Sequence, residues 1–285
     1  MEGRTGKNAV TPALYLCATP IGNLDDITLR VVNALRAVDV VYAEDTRNTA
    51  RLLRHLGIEK PLLSCHEHNE AKRAEEIAAK VEQGMAVAFV SDAGMPGISD
   101  PGEKLVRACV ERAVPYFVLP GPSAAVTAHV VANFGGQYRF VGFLPRASGA
   151  RAKLFEVLAG CDCALVLYES PLRLSKTAGE LARALGNRRA VLVRELTKLH
   201  ESAVRATLAE LSELYAQTPP KGECVLVVEG RSAELPNETD ASELIAQLLR
   251  SGHSAKDAAR EASERTGVPR NAAYAMALQL LRGAE

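Results

Sequence analysis

Four short segments are dense in glycine, proline, hydroxyl and acidic residues. They are residues 19–23 (Thr-Pro-Ile-Gly-Asn), 44–47 (Glu-Asp-Thr-Arg), 91–102 (Ser-Asp-Ala-Gly-Met-Pro-Gly-Ile-Ser-Asp-Pro-Gly) and 120–124 (Pro-Gly-Pro-Ser-Ala). Such glycines let main-chain groups approach a ligand closely. A serine just inside a helix start, the place of Ser123 and Ala124, offers a hydroxyl and free backbone N–H groups to an anion. Each segment alone would pass as a turn, but together they follow short apolar runs, where an open α/β sheet places its ligand. The motifs that are missing narrow the chemistry. No G-x-x-x-x-G-K-S/T is present, Gly94 and Gly97 do not form G-x-G-x-x-G, and neither H-E-x-x-H nor G-x-S-x-G occurs. Phosphate cradling, dinucleotide hydride transfer, zinc hydrolysis and serine hydrolysis are therefore disfavoured.

The positioning elements follow from periodicity. Residues 14–19, 38–43, 86–91 and 116–119 are short, apolar and bounded by turn residues, which predicts buried strands. Helical spacing fills the intervals at 29–36, 46–55, 69–83, 101–112 and 122–131. The fourth helix has a start signal, with Asp100 as N-cap, Pro101 in the first turn and Glu103 three residues past the cap. Alternation of strand and helix predicts an α/β domain over residues 12–136 with a mostly parallel sheet. Composition then shifts: residues 137–153 hold four basic residues and no acid. A second α/β domain is expected over 137–232, with strands at 164–168, 190–194 and 224–229 and a helix opened by Ser170 and Pro171. A linker is read at 231–239.

Residues 239–285 are alanine-rich. Ala255, Ala258, Ala259 and Ala262, then Ala273, Met276, Ala277, Leu280 and Leu281, keep helical spacing on either side of Thr266-Gly-Val-Pro269. That pattern predicts a helix-turn-helix-like tail. Between residues 250 and 282 six basic residues face three acidic ones, so the tail is locally cationic or, on the other reading, a dimerisation cap.

Over all 285 residues, 34 basic and 34 acidic side chains balance, so any nucleic-acid surface must be local. No run approaches the ~20 apolar residues of a membrane span, and the polar start lacks a secretory core. A cytoplasmic protein without a membrane partner is expected. The six cysteines are scattered, with one C-x-C and no C-x-x-C, and read as core thiols. His66 and His68 stand close together without further ligands, so no metal is expected.

Together with residues 168–171 (Tyr-Glu-Ser-Pro), 194–198 (Arg-Glu-Leu-Thr-Lys) and 222–230 (Gly-Glu-Cys-Val-Leu-Val-Val-Glu-Gly), the four loops resemble the tetrapyrrole-methylase superfamily. The resemblance runs from about Ala13 to Gly230, and the tail fits it. Where the superfamily commonly shows G-x-G-D-P, this chain has Val-Ser-Asp-Ala-Gly at 90–94, the form of the subgroup that methylates ribosomal RNA. The resemblance implies two α/β domains with S-adenosylmethionine in the cleft between them, plus the small helical domain, and a homodimer. It further implies methylation of the ribose 2′-hydroxyl of a decoding-region cytidine in 16S rRNA, within the small ribosomal subunit.

S-adenosylmethionine carries a sulfonium, a zwitterionic amino acid and an adenosine, with no phosphates. Asp92 would offset positive charge, while Gly94, Met95, Pro96, Ile98 and Ser99 would wrap the methionine end. Ser123 and Ala124 would meet the carboxylate. By resemblance, Leu174, Leu196 and Pro220 would add an apolar wall, although plain core packing suits the leucines equally. Methyl transfer is an in-line displacement, so alignment supplies most of the catalysis. A ribose hydroxyl is a poor nucleophile that a base or a charged group would assist. Glu44, Asp45, Arg47, His66, Glu195, Lys198 and His200 are the candidates, and the sequence does not choose among them. For RNA, Arg146, Arg151 and Lys153 beside Tyr138, Phe140, Phe143 and Phe155 combine cations with stacking rings. Phe140 and Phe143 are expected to face the core. Lys256, Arg260, Arg265 and Arg270 would form a basic face on the tail. A tetrapyrrole or protein-side-chain acceptor, and a non-catalytic ribosome-binding factor, remain as alternatives.

Overall fold

The structure, a computed structural model, describes residues 10–231 and 238–282. Five strands form the first sheet: β1 (Ala13–Cys17), β2 (Val40–Ala43), β3 (Leu62–Ser64), β4 (Ala86–Val90) and β5 (Tyr116–Leu119). Their order is β3-β2-β4-β1-β5, and every pairing is parallel. Each crossover contains a helix: α1 (Leu29–Ala37), α2 (Thr46–His55), α3 (Glu70–Glu82) and α4 (Glu103–Glu111). Successive residues of β1 point to opposite faces. Tyr15 and Cys17 pack with Val31 and Leu35 of α1, whereas Leu14 and Leu16 pack with Ile77 of α3 and Leu105 of α4. A sheet covered on both faces needs near-continuous apolar strands, which is why β1, β2 and β4 were legible. Residues 116–119 were also expected to be buried, but as edge strand β5 they leave Tyr116, Phe117 and Val118 exposed.

The second sheet is built differently. It contains β6 (Tyr138–Phe143), β7 (Ala164–Glu169), β8 (Arg189–Arg194), β9 (Ser202–Thr207) and β10 (Cys224–Val228), in the order β6-β7-β10-β8-β9. Only β6–β7 is parallel; the other three pairings are antiparallel. One face of this sheet packs on α5 (Ala124–Ala132), where Ala125 and Ala128 meet Val166, Val193 and Val227. The remaining helices of this region are α6 (Ser148–Ala159), α7 (Pro171–Leu185) and α8 (Leu208–Leu214). Sequence reading missed β3, β6 and β9, because they are very short or carry only one half-buried face.

The chain divides into two compact units. One runs up to Ala159 and includes Cys163–Glu229; the other comprises Gly160–Asp162 and the described residues from Gly230 onward. The second unit contains α9 (Glu238–Arg250), α10 (Ala255–Thr266) and α11 (Arg270–Arg282). Ser254 caps α10, Gly267 ends it in the left-handed region, and Ala258, Ala262, Val268, Ala273 and Ala277 form its core. Most of the expected linker, residues 232–237, lies outside the described residues. No helix among the described residues is long and apolar enough to cross a membrane.

The fourth helix begins later than Asp100 and Pro101 suggested. It starts at Glu103, and its cap comes from another helix: the buried Glu70 carboxylate of α3 accepts from Gly102 N at 2.7 Å and Lys104 N at 3.1 Å. A carboxylate at a helix start satisfies amides that have no partner within the helix. Gly102 sits at φ +143°, and a Cβ there would lie 2.8 Å from Gly97 N, so the loop closes on itself only with glycine. Asp100 is thereby freed from capping.

Candidate functional site

A cavity of about 400 Å³ opens at the carboxyl ends of β1, β4 and β5, within the first compact unit. Ile21 enters it from the loop after β1, and Gly94, Met95, Ile98, Ser99 and Asp100 from the loop after β4. Ser123 and Ala124 contribute the start of α5. The opposite wall comes from the second sheet, through Phe143, Tyr168, Val193, Leu196 and Val225. The volume lies within the range of small-molecule sites, and so does an apolar lining with a few polar groups.

The loops are tied in place. Thr19 and Gly94 exchange backbone hydrogen bonds of 2.9 and 3.0 Å, joining the β1 and β4 loops, and the Thr19 hydroxyl donates to the Ser91 carbonyl at 3.1 Å. Gly22 brings the β1 loop against the loop after β8, where a Cβ would stand 2.6 Å from Lys198 Cγ and 2.8 Å from the Leu196 carbonyl. In that β8 loop Glu195 and Thr197 have φ of +51° and +65° without being glycine. Such backbones persist only where surroundings fix them. Here the Glu195 carboxylate accepts from Glu223 N at 2.8 Å and Lys198 Nζ at 2.9 Å. The result is a rigid arm that holds Leu196 against the cavity.

Of the residues expected to hold the cofactor, Gly94, Met95, Ile98, Ser99, Ser123, Ala124 and Leu196 line this cavity. Asp92 does not. It lies in a neighbouring cavity of about 300 Å³ with Thr19, Asn48 and Arg51, and its carboxylate accepts from Asp45 N at 3.1 Å. Pro96 is buried within its own loop. Leu174 is fully buried in α7, and Pro220, also buried, stands off the cavity wall. The loop at residues 44–47 misses the cavity because it follows β2, which lies beyond β4 from β1.

The candidate bases are engaged elsewhere. Glu44 accepts from Asp92 N at 3.2 Å; burial raises its carboxyl, helped by the charges of Asp92 and Asp45. Arg47 donates to Asp45 at 2.6 Å, and this holds the Asp45 carboxyl down at about 2. Lys198 is shared between Glu195 and Glu223 at 2.9 and 3.0 Å. His66 Nε2 accepts from Asn69 Nδ2 at 3.3 Å, and neither it nor His200 lines the cavity. The group that sequence reading missed is Asp100. Its side chain lines the cavity without a hydrogen bond or ion pair to any described residue. Burial raises its carboxyl to about 7, reinforced by the negative charges of Glu44 and Asp92. Glu169, on the same wall, is committed: it accepts from Ser170 N at 2.8 Å and Thr177 Oγ1 at 2.7 Å.

Two cationic expectations also change. Arg151 is an internal strut, held by Glu180 at 2.8 Å with both side chains mostly buried, and it donates to the Pro145 carbonyl. It is therefore unavailable as a surface contact. Arg146 and Lys153 are exposed, as are Lys256, Arg260 and Arg270 of the second unit. Arg260 and Arg265 pair with Asp257 and Glu261 of their own helix. Phe143, expected in the core, is 58% exposed. A register shift between Phe140 and Gly142 breaks the two-residue alternation of β6. Both Phe140 and Phe143 consequently meet the Tyr168 ring, at 5.1 and 5.6 Å between centroids.

Comparison with known proteins follows the same division. The family of tetrapyrrole (corrin/porphyrin) methylases matches residues 13–212, and an RsmI C-terminal HTH domain matches residues 236–281. The ribosomal RNA small subunit methyltransferase I of a Synechocystis species is 40% identical over 94% of this chain and 98% of its own length. That of Haemophilus influenzae is 41% identical over 94% and 97%. Among solved structures, uroporphyrin-III C-methyltransferase from Thermus thermophilus, complexed with S-adenosylhomocysteine, superposes with a TM-score of 0.56 at 19% identity, covering 76% of this chain and 97% of that one. A cobalt precorrin-4 methyltransferase gives 0.56 at 17% identity, covering 80% and 98%. The chain belongs to the tetrapyrrole methylase family and, within it, to the ribosomal RNA small subunit methyltransferase I group.

Proposed function

We propose that this chain is an S-adenosylmethionine-dependent methyltransferase of small-subunit ribosomal RNA, and that its acceptor is the ribose 2′-hydroxyl of a decoding-region cytidine in 16S rRNA. The observation that carries the reading is the cavity itself: an apolar pocket at parallel-strand ends with one uncommitted acid, a helix start and no phosphate loop. These residues fit the cofactor. The first amides of α5 and the Ser123 hydroxyl suit a carboxylate, Ile21, Leu196 and Val225 suit an adenine face, and Asp100 offers negative charge towards a sulfonium. The names of the relatives support ribosomal RNA as the substrate.

When bound, the cofactor supplies a methyl group on a positively charged sulfur. The tied loops hold the donor and acceptor in line, the largest contribution open to a displacement at carbon. As the 2′-oxygen takes the methyl, its O–H bond breaks and Asp100 accepts the proton. A carboxylate ionising at about 7 is matched to that task at neutral pH. Loss of the methyl would leave the donor's sulfur a neutral thioether, so charge and atoms balance.

We further infer a homodimer. Edge strand β5 exposes Tyr116, Phe117 and Val118 in succession, in a sheet whose inner strands β1, β2 and β4 are buried throughout. Exposed contiguous apolar surface of this kind marks an interface. Lys256, Arg260 and Arg270 on α10 and α11 are then auxiliary cations for the ribosomal substrate, and the cytoplasm is the place of action.

The test is transfer of labelled methyl to isolated small subunits and to their naked RNA, followed by mapping of the modified nucleotide. A 2′-O-methylcytidine in the decoding region is expected. Methylation of a precorrin with none on RNA would replace this reading with a tetrapyrrole acceptor. Cofactor binding without transfer to any of these substrates would make the chain a non-catalytic ribosome-binding factor.

A further inference from the structure

A second cavity, of about 440 Å³, adjoins the first and shares Phe143, Glu169 and Ser170 with it. Its walls carry four cations, Arg146, Arg151, Arg173 and Lys176, against two acids, Glu169 and Glu180. The cations differ in how firmly they are held. Arg151 is locked to Glu180 at 2.8 Å. Arg173 reaches Glu169 at 3.4 Å and Lys176 reaches Glu180 at 4.0 Å, while the Lys176 side chain is 74% exposed. Arg146 is exposed and makes no ion pair with a described residue. Loose pairs of this length exchange partners readily for a stronger anion. Between these cations and the donor cavity stands the exposed ring of Phe143, placed there by the irregularity in β6 and braced edge-on by Tyr168.

A ring flanked by exposed or loosely paired cations is the combination that seats unpaired nucleic acid: aromatic faces stack bases, and arginine and lysine take the phosphates. Building on the function proposed above, we propose that this second cavity seats the acceptor strand. An unpaired nucleotide of RNA stacks its base on Phe143 and rests its flanking phosphates on Arg146, Arg173 and Lys176, which presents its ribose across the shared wall to the donor cavity. The shared wall explains why the two cavities meet at Phe143 and Ser170: the base stays outside while the 2′-hydroxyl reaches Asp100. The site therefore demands a single-stranded or flipped-out acceptor, since a paired base has no free face for the ring.

The experiment uses the full chain and two probes, a short labelled single-stranded RNA and isolated small subunits, alongside calorimetric binding of S-adenosylmethionine. In the double variant Arg146→Glu/Lys176→Glu, affinity for the RNA should fall about tenfold or more. Loss of two phosphate contacts should also flatten the log–log salt slope by about 1.4. Cofactor affinity should remain that of the wild type, which certifies the fold. Phe143→Ala should weaken RNA binding and raise the KM for small subunits, and Phe143→Trp should restore both. Unchanged RNA affinity and salt slope in the folded double variant would overturn the proposal. So would a double-stranded RNA bound as tightly as the single strand, or a porphyrin carboxylate that displaces nothing from RNA yet loses affinity in the double variant. If the wild type fails to methylate small subunits at all, the functional reading above is what fails. If it methylates them and the variants do so equally well, only the seat is wrong.

Discussion

The two adjoining cavities share three residues and are made of opposite materials. The donor cavity is walled by apolar side chains and by loops that hydrogen bonds and non-glycine left-handed residues fix in place, with Asp100 as its uncommitted acid. Its neighbour is walled by arginine, lysine and glutamate, several of them in long ion pairs at the surface. A pocket of the first kind suits a small ligand of constant shape, because nothing has to move when it binds. A pocket of the second kind suits a long polyanion whose approach is steered by charge and whose contacts can be exchanged. The difference teaches that one continuous depression can divide its work at a single aromatic ring.

The sharpest way to break this division is Asp100→Asn. Turnover should fall by about a hundredfold or more, the ordinary worth of a positioned base, while RNA affinity stays unchanged. In the wild type the rate should climb as pH rises through about 7 and then level off, since the carboxylate form of Asp100 is the active one. Burial and then the charges of Glu44 and Asp92 raise that group, with Tyr168, Glu169 and Glu223 on the same cavity wall, so neutralising Glu44 or Asp92 should lower the midpoint. A variant that keeps the wild-type rate and profile would remove Asp100 from the proton path.

Salt should separate the cavities next. If about three phosphates are neutralised, raising salt from roughly 50 to 200 mM should weaken RNA binding by more than about tenfold. Cofactor binding over the same range should hardly change, which calorimetry checks. Equal salt dependence of both would erase the contrast drawn here.

A smaller effect is expected at Ser123→Ala. Its hydroxyl stands at the start of α5 on the cavity wall, and loss of one hydrogen bond to a ligand costs about 1 kcal/mol. Cofactor affinity should drop about fivefold, with RNA affinity intact.

A separate effect is one of stability. Asp100 has its carboxyl raised from 3.8 to about 7 in the folded chain. The native state therefore holds that proton more tightly than the unfolded chain does, so a stability penalty accumulates between those two values and is constant above them. Asp100→Asn should raise the thermal midpoint of the ligand-free protein at pH 8, and this gain should shrink as pH falls from 7 towards 4. A midpoint that gains nothing at pH 8 would mean that the carboxylate is better solvated than its place in the cavity implies.

Much of the scaffold was legible because burial on two faces leaves a plain mark. β1, β2, β4, β7, β8 and β10 are buried apolar runs, β5 is an apolar run at an exposed edge, and the helices between the first five strands keep their spacing. What was not legible depended on partners distant in sequence. β9 alternates half-buried and exposed positions in Ser-Ala-Val-Arg-Ala-Thr, which looks like surface chain until β8 pairs with it. Asp100 followed by Pro101 and Glu103 has the form of a helix start, yet Glu70, thirty-two positions upstream of Gly102, takes the cap and leaves Asp100 to the cavity. Arg151 looked like a phosphate contact because sequence does not show Glu180 one helix away. The strand order could not be read either, and it alone decides that the loop after β2 falls outside the cavity while the loops after β1, β4 and β5 converge.

The irregularity in β6 has a consequence for how such a fold changes allegiance over time. Strand side chains alternate with a period of two, so a single residue gained or lost in β6 exchanges every ring beyond that point between interior and surface. Deleting Val141 would leave Phe143 two positions after Phe140, with both rings still on the Tyr168 side, whereas one residue added between Gly142 and Phe143 would turn Phe143 away without altering any loop of the first sheet. The acceptor half of the molecule can thus be re-specified by an insertion or deletion in one strand, while the half that holds the methyl donor is inherited unchanged.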